Sequence, residues 1–110
     1  MKAFTSIEQS KKLAEILPLE SADMSYRPYR EEWGIPDYQL DLCPHKFASW
    51  IGFPCWSLTA LLNILPSSTL DSSNDHHYRL HCMERFTEWH DNPVDACYEM
   101  ILKLNELKML

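Results

Sequence analysis

Cysteine and histidine are the residues of this sequence that could bind a metal. Zinc prefers thiolate and imidazole ligands, and structural sites hold four of them tetrahedrally. The candidate ligands are Cys43, His45, Cys55, His77, His81 and His90. Because neither a Cys-x-x-Cys pair nor a zinc-finger spacing occurs among them, we expect no cofactor and keep a zinc-stabilised domain as an alternative hypothesis.

Cys55 is the candidate nucleophile. It directly precedes a predicted helix, and a thiol at a helix N-terminus has a lowered pKa. A histidine elsewhere in the chain could serve as its base, which leaves a small Cys/His-dependent hydrolase as a second alternative. Cys55 also lies in the most apolar part of the sequence, where a buried, inert thiol is the expected role. We therefore assign no catalytic residue.

Aromatic residues around the first predicted strand pair could bind a partner. Tyrosine and tryptophan are enriched at the energetic centres of protein interfaces, and they also fill small cores. The candidates for partner binding are Tyr26, Tyr29, Trp33 and Tyr38. We expect this group to be divided between core and surface.

Composition excludes several function classes. The 110 residues carry a formal charge of −6, and the basic residues form no cluster, so we expect no nucleic-acid partner. With two glycines, Gly34 and Gly52, neither a Walker loop nor a dinucleotide-binding loop is possible.

Targeting signals are also missing from the pattern. The N-terminus has no apolar run behind its lysine, and the uncharged stretch 48–70 is interrupted by Pro54 and Pro66. Neither segment resembles a signal peptide or a membrane span. We expect a cytoplasmic protein with reduced cysteines and no membrane partner.

The helices and strands that would position these residues can be predicted from hydrophobic periodicity and from helix-capping residues. The pattern predicts helices over 5–17, 58–65 and 93–107, strands over 22–29, 38–42, 78–82 and 85–90, and a polar loop over 67–75. The element order is α-β-β-α-β-β-α. We therefore expect a single α+β domain in which three helices pack on an antiparallel sheet of about four strands.

Helix starts carry the clearest local signals. Thr5 with Glu8, or Ser6 with Gln9, can form a capping box. Asn92 followed by Pro93 is typical of a helix start. The helix that follows has a narrow polar stripe, so we expect it to pack in the middle of the domain or against a second copy of the chain.

Three segments of the sequence carry a family resemblance. They are the C-terminal run 91–104, the opening Ile7-Glu8-Gln9-Ser10-Lys11-Lys12-Leu13, and Pro-Cys-Trp-Ser-Leu at 54–58. With these segments the chain resembles a group of short uncharacterised proteins from gut anaerobic bacteria and their prophages. The resemblance implies a bacterial cytoplasmic setting and a mobile-element origin, and it brings no activity, ligand or site residue.

The leading functional hypothesis is a non-enzymatic protein-interaction module. It rests on the surplus of aromatic residues, the broadly apolar last helix and the lack of a catalytic signature. The expected partner is another protein or a second copy of the chain.

Overall fold

The computed structural model describes residues 2–29, 37–41, 53–73 and 75–110. Within these residues the chain forms three α-helices, one short 3₁₀ helix and six strands. In chain order they are α1 (Ile7–Ala14), the 3₁₀ helix (Leu19–Ser21), β1 (Met24–Tyr29), β2 (Asp37–Asp41), β3 (Phe53–Cys55), α2 (Leu58–Ile64), β4 (Ser68–Ser72), β5 (Tyr78–Cys82), β6 (Arg85–Phe86) and α3 (Pro93–Glu106). The predicted α+β class, with its three helices and antiparallel strands, is confirmed.

The strands form two small sheets, where the sequence predicted one. An N-terminal sheet has the order β2-β1-β3, and a C-terminal sheet has the order β4-β5-β6; every pairing is antiparallel. The extra strands are β3, in a stretch for which the sequence predicted no strand, and β4, in the predicted polar loop over 67–75. β4 reads Ser-Thr-Leu-Asp-Ser, in which Leu70 alone is apolar, so its sequence carries no alternating pattern.

Helix caps lie close to where the sequence places them. Ser6 forms the capping box of α1 with Gln9, which decides between the two predicted pairs. The Ser57 hydroxyl accepts the backbone N–H of Ala60 at the start of α2, and Asn92 caps α3 with Pro93 at its first position. None of the helices in the described residues is long and apolar enough to cross a bilayer.

The main core lies between α3, α2 and β5. Helix α3 buries seven residues, and Met100, Ile101 and Leu104 are completely removed from solvent. The same cluster contains Trp56, Leu61 and other apolar residues from the N-terminal, middle and C-terminal parts of the chain. Full burial of each such side chain is worth about 1.5–3 kcal/mol, so α3 contributes a large share of the hydrophobic stabilisation.

A second, smaller cluster lies under the N-terminal sheet. Met24, Tyr26 and Cys55 are buried there, with Phe4 and Ile7 packed against them. The segment before α1 reaches this cluster through an antiparallel bridge between Phe4 and Ser57. The first residues of the chain are therefore part of the folded structure.

Candidate functional site

One face of the C-terminal sheet packs on α3, and the opposite face, here called the outer face, carries polar and aromatic side chains. Along β5, Leu80 and Cys82 are buried, whereas Arg79 and His81 alternate with them and point the other way. Register places Asp71 of β4 opposite Arg79, and Phe86 of β6 opposite His81. The pairing of three short strands thus brings residues distant in sequence onto one surface.

Four of these side chains form a continuous stack, here called the Arg79 stack. The His81 and Phe86 rings are nearly parallel, with centroids 4.2 Å apart. The Arg79 guanidinium carbon lies 4.5 Å from the centroid of Phe86 and 4.6 Å from that of Trp89. The Arg79 guanidinium therefore lies within cation–π distance of two aromatic rings, one of which also stacks on His81.

Asp71 fixes the guanidinium of Arg79 from the neighbouring strand. The Arg79 Nη2 atom donates to Asp71 Oδ2 at 3.3 Å, between partly buried side chains. The Nε atom of Arg79 is buried, and it has no hydrogen-bond partner among the described residues. Arg79 is thus held by its contacts with the two rings and by one carboxylate.

A β-bulge brings Trp89 onto this face. His81 pairs with Phe86 and Tyr78 pairs with His90, so residues 87–89 on one strand stand opposite residues 79–80 on the other. On a regular strand Trp89 would point inwards and His90 outwards, because alternate residues share a face. The extra residue reverses this alternation, and a bulge is a common way to redirect a side chain.

Glu99 of α3 binds the bulged segment from the inner side. Its carboxylate lies 2.7 Å from His90 Nε2 and 2.9 Å from Lys103 Nζ, and both oxygens accept the backbone N–H of Glu88 at 3.3 Å. Burial raises the pKa of Glu99, but the hydrogen bonds from Lys103, His90 and the Glu88 backbone outweigh it. The net effect is a pKa below the usual value of 4.5.

A shallow pocket of about 320 Å³ adjoins the stack at the edge of β6. It is lined by Arg85, Phe86, Lys103, Glu106 and Leu107. Phe86 is the residue common to the stack and the pocket, whose other lining residues come from β6 and from the C-terminal end of α3. Phe86 is 48% exposed and Trp89 is 45% exposed, which is unusual for large aromatic side chains that make ordered contacts.

Cys55 lies at a different place, in the small core of the N-terminal sheet. It is fully buried, its thiol donates to the carbonyl oxygen of Thr5 at 3.5 Å, and it lies 3.5 Å from Thr5 Oγ1. Thr5 Oγ1 in turn lies 2.7 Å from Ser10 Oγ and accepts the Trp56 N–H. Burial raises the pKa of the Cys55 thiol, although hydrogen bonds from Thr5, Ser10 and Tyr26 oppose it. A thiolate nucleophile needs the reverse conditions, so this geometry supports a structural thiol.

The metal-ligand candidates are dispersed where they are described. Cys55 is in the small core, His81 stacks on Phe86, and His90 contacts Glu99. His77 Nε2 lies 3.6 Å from Asp91 Oδ1 at the surface. No three Cys, His, Asp or Glu side chains of the described residues come close enough to hold a metal ion. Cys43 and His45 lie outside the described residues.

Of the aromatic candidates for partner binding, Tyr26 requires a correction. Its side chain is only 7% exposed, and its hydroxyl donates to the Thr5 carbonyl at 2.8 Å. Burial, together with the neighbouring Cys55, raises the pKa of Tyr26 to about 12. Tyr26 is a core residue because its strand position faces α1. Trp33 lies outside the described residues, as do the side chains of Tyr29 and Tyr38.

The stack residues were not among the aromatic candidates taken from the sequence. Trp89 and Phe86 were assigned to a regular strand, and no local signal marks the bulge that joins them to Arg79. One signal was available: Arg79 and His81 alternate with Leu80 and Cys82, which places a cation and an imidazole on the solvent face of β5. Comparison of the chain with protein-family models, with curated proteins and with solved structures found no match.

Proposed function

We propose that the protein is a non-enzymatic protein-interaction module and that it binds its partner through the Arg79 stack and the adjoining pocket. The observation that carries the proposal is an ordered stack of Trp89, Arg79 and Phe86 whose two aromatic members remain about half exposed. Tryptophan and arginine are the residues most enriched at interface hot spots.

Preorganisation strengthens this case. Side chains that bind a partner lose rotamer freedom, which costs about 0.5–1.5 kcal/mol for each one immobilised. In the free protein Arg79 is already fixed by Phe86, Trp89 and Asp71. Much of that ordering cost is therefore met before binding.

A protein partner fits this surface better than a nucleic acid does. Asp71 offsets the charge of Arg79, and Glu99 offsets that of Lys103. The whole chain carries −6. Phosphate binding depends on cations that remain available for neutralisation. Within this proposal the partner is cytoplasmic, and the bacterial and mobile-element setting implied by the family resemblance stays a prediction.

The alternative hypotheses have less support. A Cys55-dependent hydrolase would use a fully buried thiol whose pKa is raised. A zinc-stabilised domain would need ligands beyond the described part of the chain, since no cluster of three forms within it.

Site-specific photo-crosslinking in the producing cells tests the proposal. A photoreactive amino acid replaces Thr69, which is exposed on the outer face opposite His81, or replaces Asn63, which is exposed on α2. We expect a discrete adduct from position 69 and none from position 63. Mass spectrometry then identifies the adduct, and an adduct of two identical chains would make the partner a second copy.

Substitutions in the protein test whether the crosslinked partner binds through the Arg79 stack. Trp89→Ala should weaken binding of the identified partner about tenfold or more, which corresponds to about 1.4 kcal/mol. Leu19→Ala is the matched control, because Leu19 is 46% exposed in the 3₁₀ helix, away from this face. Equal adducts from both positions, or equal affinity of the two variants, would contradict the proposal.

A further inference from the structure

The bulge that presents Trp89 contains one local side-chain contact, in which Thr87 Oγ1 accepts the Leu80 backbone N–H at 2.9 Å and donates to the Glu88 carbonyl at 3.0 Å. Residues 87–89 contain no glycine, and the regular alternation of strand residues would turn Trp89 inwards. Backbone pairing does fix both ends, since Thr87 bonds Leu80 and His90 bonds Tyr78. What selects the extra residue between these ends must come from side chains.

The contacts of Glu99 fall within this segment. Its Oε1 atom meets His90 Nε2, and both of its oxygens accept the Glu88 N–H. Trp89 stands between these two anchored residues. Since Glu88 N–H and the His90 ring are both drawn to the inner side, the side chain of Trp89 is left on the outer face.

We infer that Glu99 is the positioning residue of the Arg79 stack: by binding Glu88 and His90 from α3 it fixes the bulge and so holds Trp89 against Arg79. Lys103, one turn later on the helix, holds the carboxylate in place at 2.9 Å and also donates to the Phe86 carbonyl at 3.3 Å. Within the described part of the chain, Glu99 forms no hydrogen bond or ion pair with a side chain of the stack. Its effect on binding, which rests on the proposed function, is therefore indirect.

Glu99→Gln is the most informative substitution. The carboxylate uses two acceptor oxygens for three donors, whereas glutamine offers one acceptor oxygen and an NH₂ group that repels the remaining donors. The side-chain volume is conserved, so the core packing of α3 should be retained. We expect the bulge to loosen and Trp89 to leave Arg79.

NMR spectroscopy of the free protein measures the contact between Trp89 and Arg79 without a binding partner. The Arg79 guanidinium lies over the Phe86 and Trp89 rings, so ring currents should shift its side-chain protons upfield. Glu99→Gln should remove the share of that shift due to Trp89 and leave the share due to Phe86. Trp89→Ala should remove the same share. In the Trp89→Ala background, Glu99→Gln should cause no further change, because the coupling acts through Trp89 alone.

Controls separate positioning from general destabilisation. Glu8→Gln makes the same charge change at an exposed position of α1 and should leave the Arg79 shifts unchanged. Core methyl shifts of Leu80 and Ile101 report whether the fold is intact. If Glu99→Gln unfolds the protein, His90→Gln keeps the carboxylate and should give the same loss at Arg79.

An unchanged Arg79 shift in folded Glu99→Gln, or a further loss in the Trp89→Ala background, would overturn the inference. Neither result bears on whether Trp89 binds a partner. Conversely, an interaction that survives Trp89→Ala would remove the proposed function and leave the positioning role of Glu99 intact.

Discussion

The turn between β5 and β6 is built from residues that disfavour its geometry, and it gives the sharpest prediction on stability. Met83 and Glu84 are the two loop residues between the paired residues Cys82 and Arg85, and their φ angles are 51° and 65°. Two positive φ values in a two-residue hairpin define a type I′ turn, which favours Asn-Gly. Glycine at position 84 should therefore stabilise the protein.

The expected size follows from two opposing contributions. A non-glycine residue in the left-handed region costs about 1–2 kcal/mol, which glycine avoids. Glycine also increases the conformational freedom of the unfolded chain, which costs about 0.4–1 kcal/mol. The net gain for Glu84→Gly is then about 0.5–1 kcal/mol. At roughly 4 °C per kcal/mol for a domain of this size, the melting temperature should rise by about 2–4 °C.

Urea denaturation and calorimetry measure this change. Glu84→Ala is the matched control, since it removes the same exposed side chain but keeps the steric cost of a positive φ angle. We expect it to leave stability unchanged. A Glu84→Gly protein no more stable than Glu84→Ala would show that the turn is not strained as its φ angles indicate.

Two further predictions concern acid and thiol reactivity. At both Asp95 and Glu99, burial raises the pKa of the carboxyl, but hydrogen bonds lower it by more. At Asp95 these bonds come from Lys2, Gln9 and Asn92, and the net pKa values lie below the usual 3.8 for Asp95 and 4.5 for Glu99. The stabilisation that these two carboxylates give is complete above the usual pKa values and is lost as pH falls through the lower pKa values of the folded protein. The urea midpoint should therefore be constant near pH 6 and decrease below about pH 4.5. A midpoint that decreases as steeply in the Asp95→Asn and Glu99→Gln variants as in the unsubstituted protein would refute this. Burial raises the pKa of Cys97 to about 12, so iodoacetamide at pH 8 should modify the peptide containing Cys97 only in denaturant, and rapid native labelling would contradict the structure.

Local signals in the sequence predicted the helices and their caps because each depends on a few adjacent residues. Ser57, Asn92 and Pro93 begin helices where the pattern placed them. Sheet organisation was harder to predict. β4 is polar except for Leu70, and its pairing with β5 is decided by tertiary contacts that no short window contains.

Prediction of the candidate site was limited by one residue of register. Strand 85–90 was predicted as regular, and a single extra residue exchanges the faces of Trp89 and His90. Tyr26 was named as a partner-binding candidate for a related reason: its alternation with polar neighbours suggests one open side of the strand, whereas Met24, Ser25 and Tyr26 are all buried. Both errors concern the side of a sheet, which depends on packing.

Residues near the start of the chain contact residues that lie far along it, in α3 and before α2. Lys2 pairs with Asp95 at 2.8 Å, 93 positions along the chain, and the Thr5 backbone N–H donates to the Trp56 carbonyl oxygen. Loops of this length must close before their contacts repay the lost chain entropy, which slows folding. Leu13 and Leu61 pack in the same core as α3. Their side chains therefore cannot be fully buried until residues 93–106 have been synthesised. A chain that lacked α3 would leave the apolar side chains of Leu13 and Leu61 without the residues that bury them.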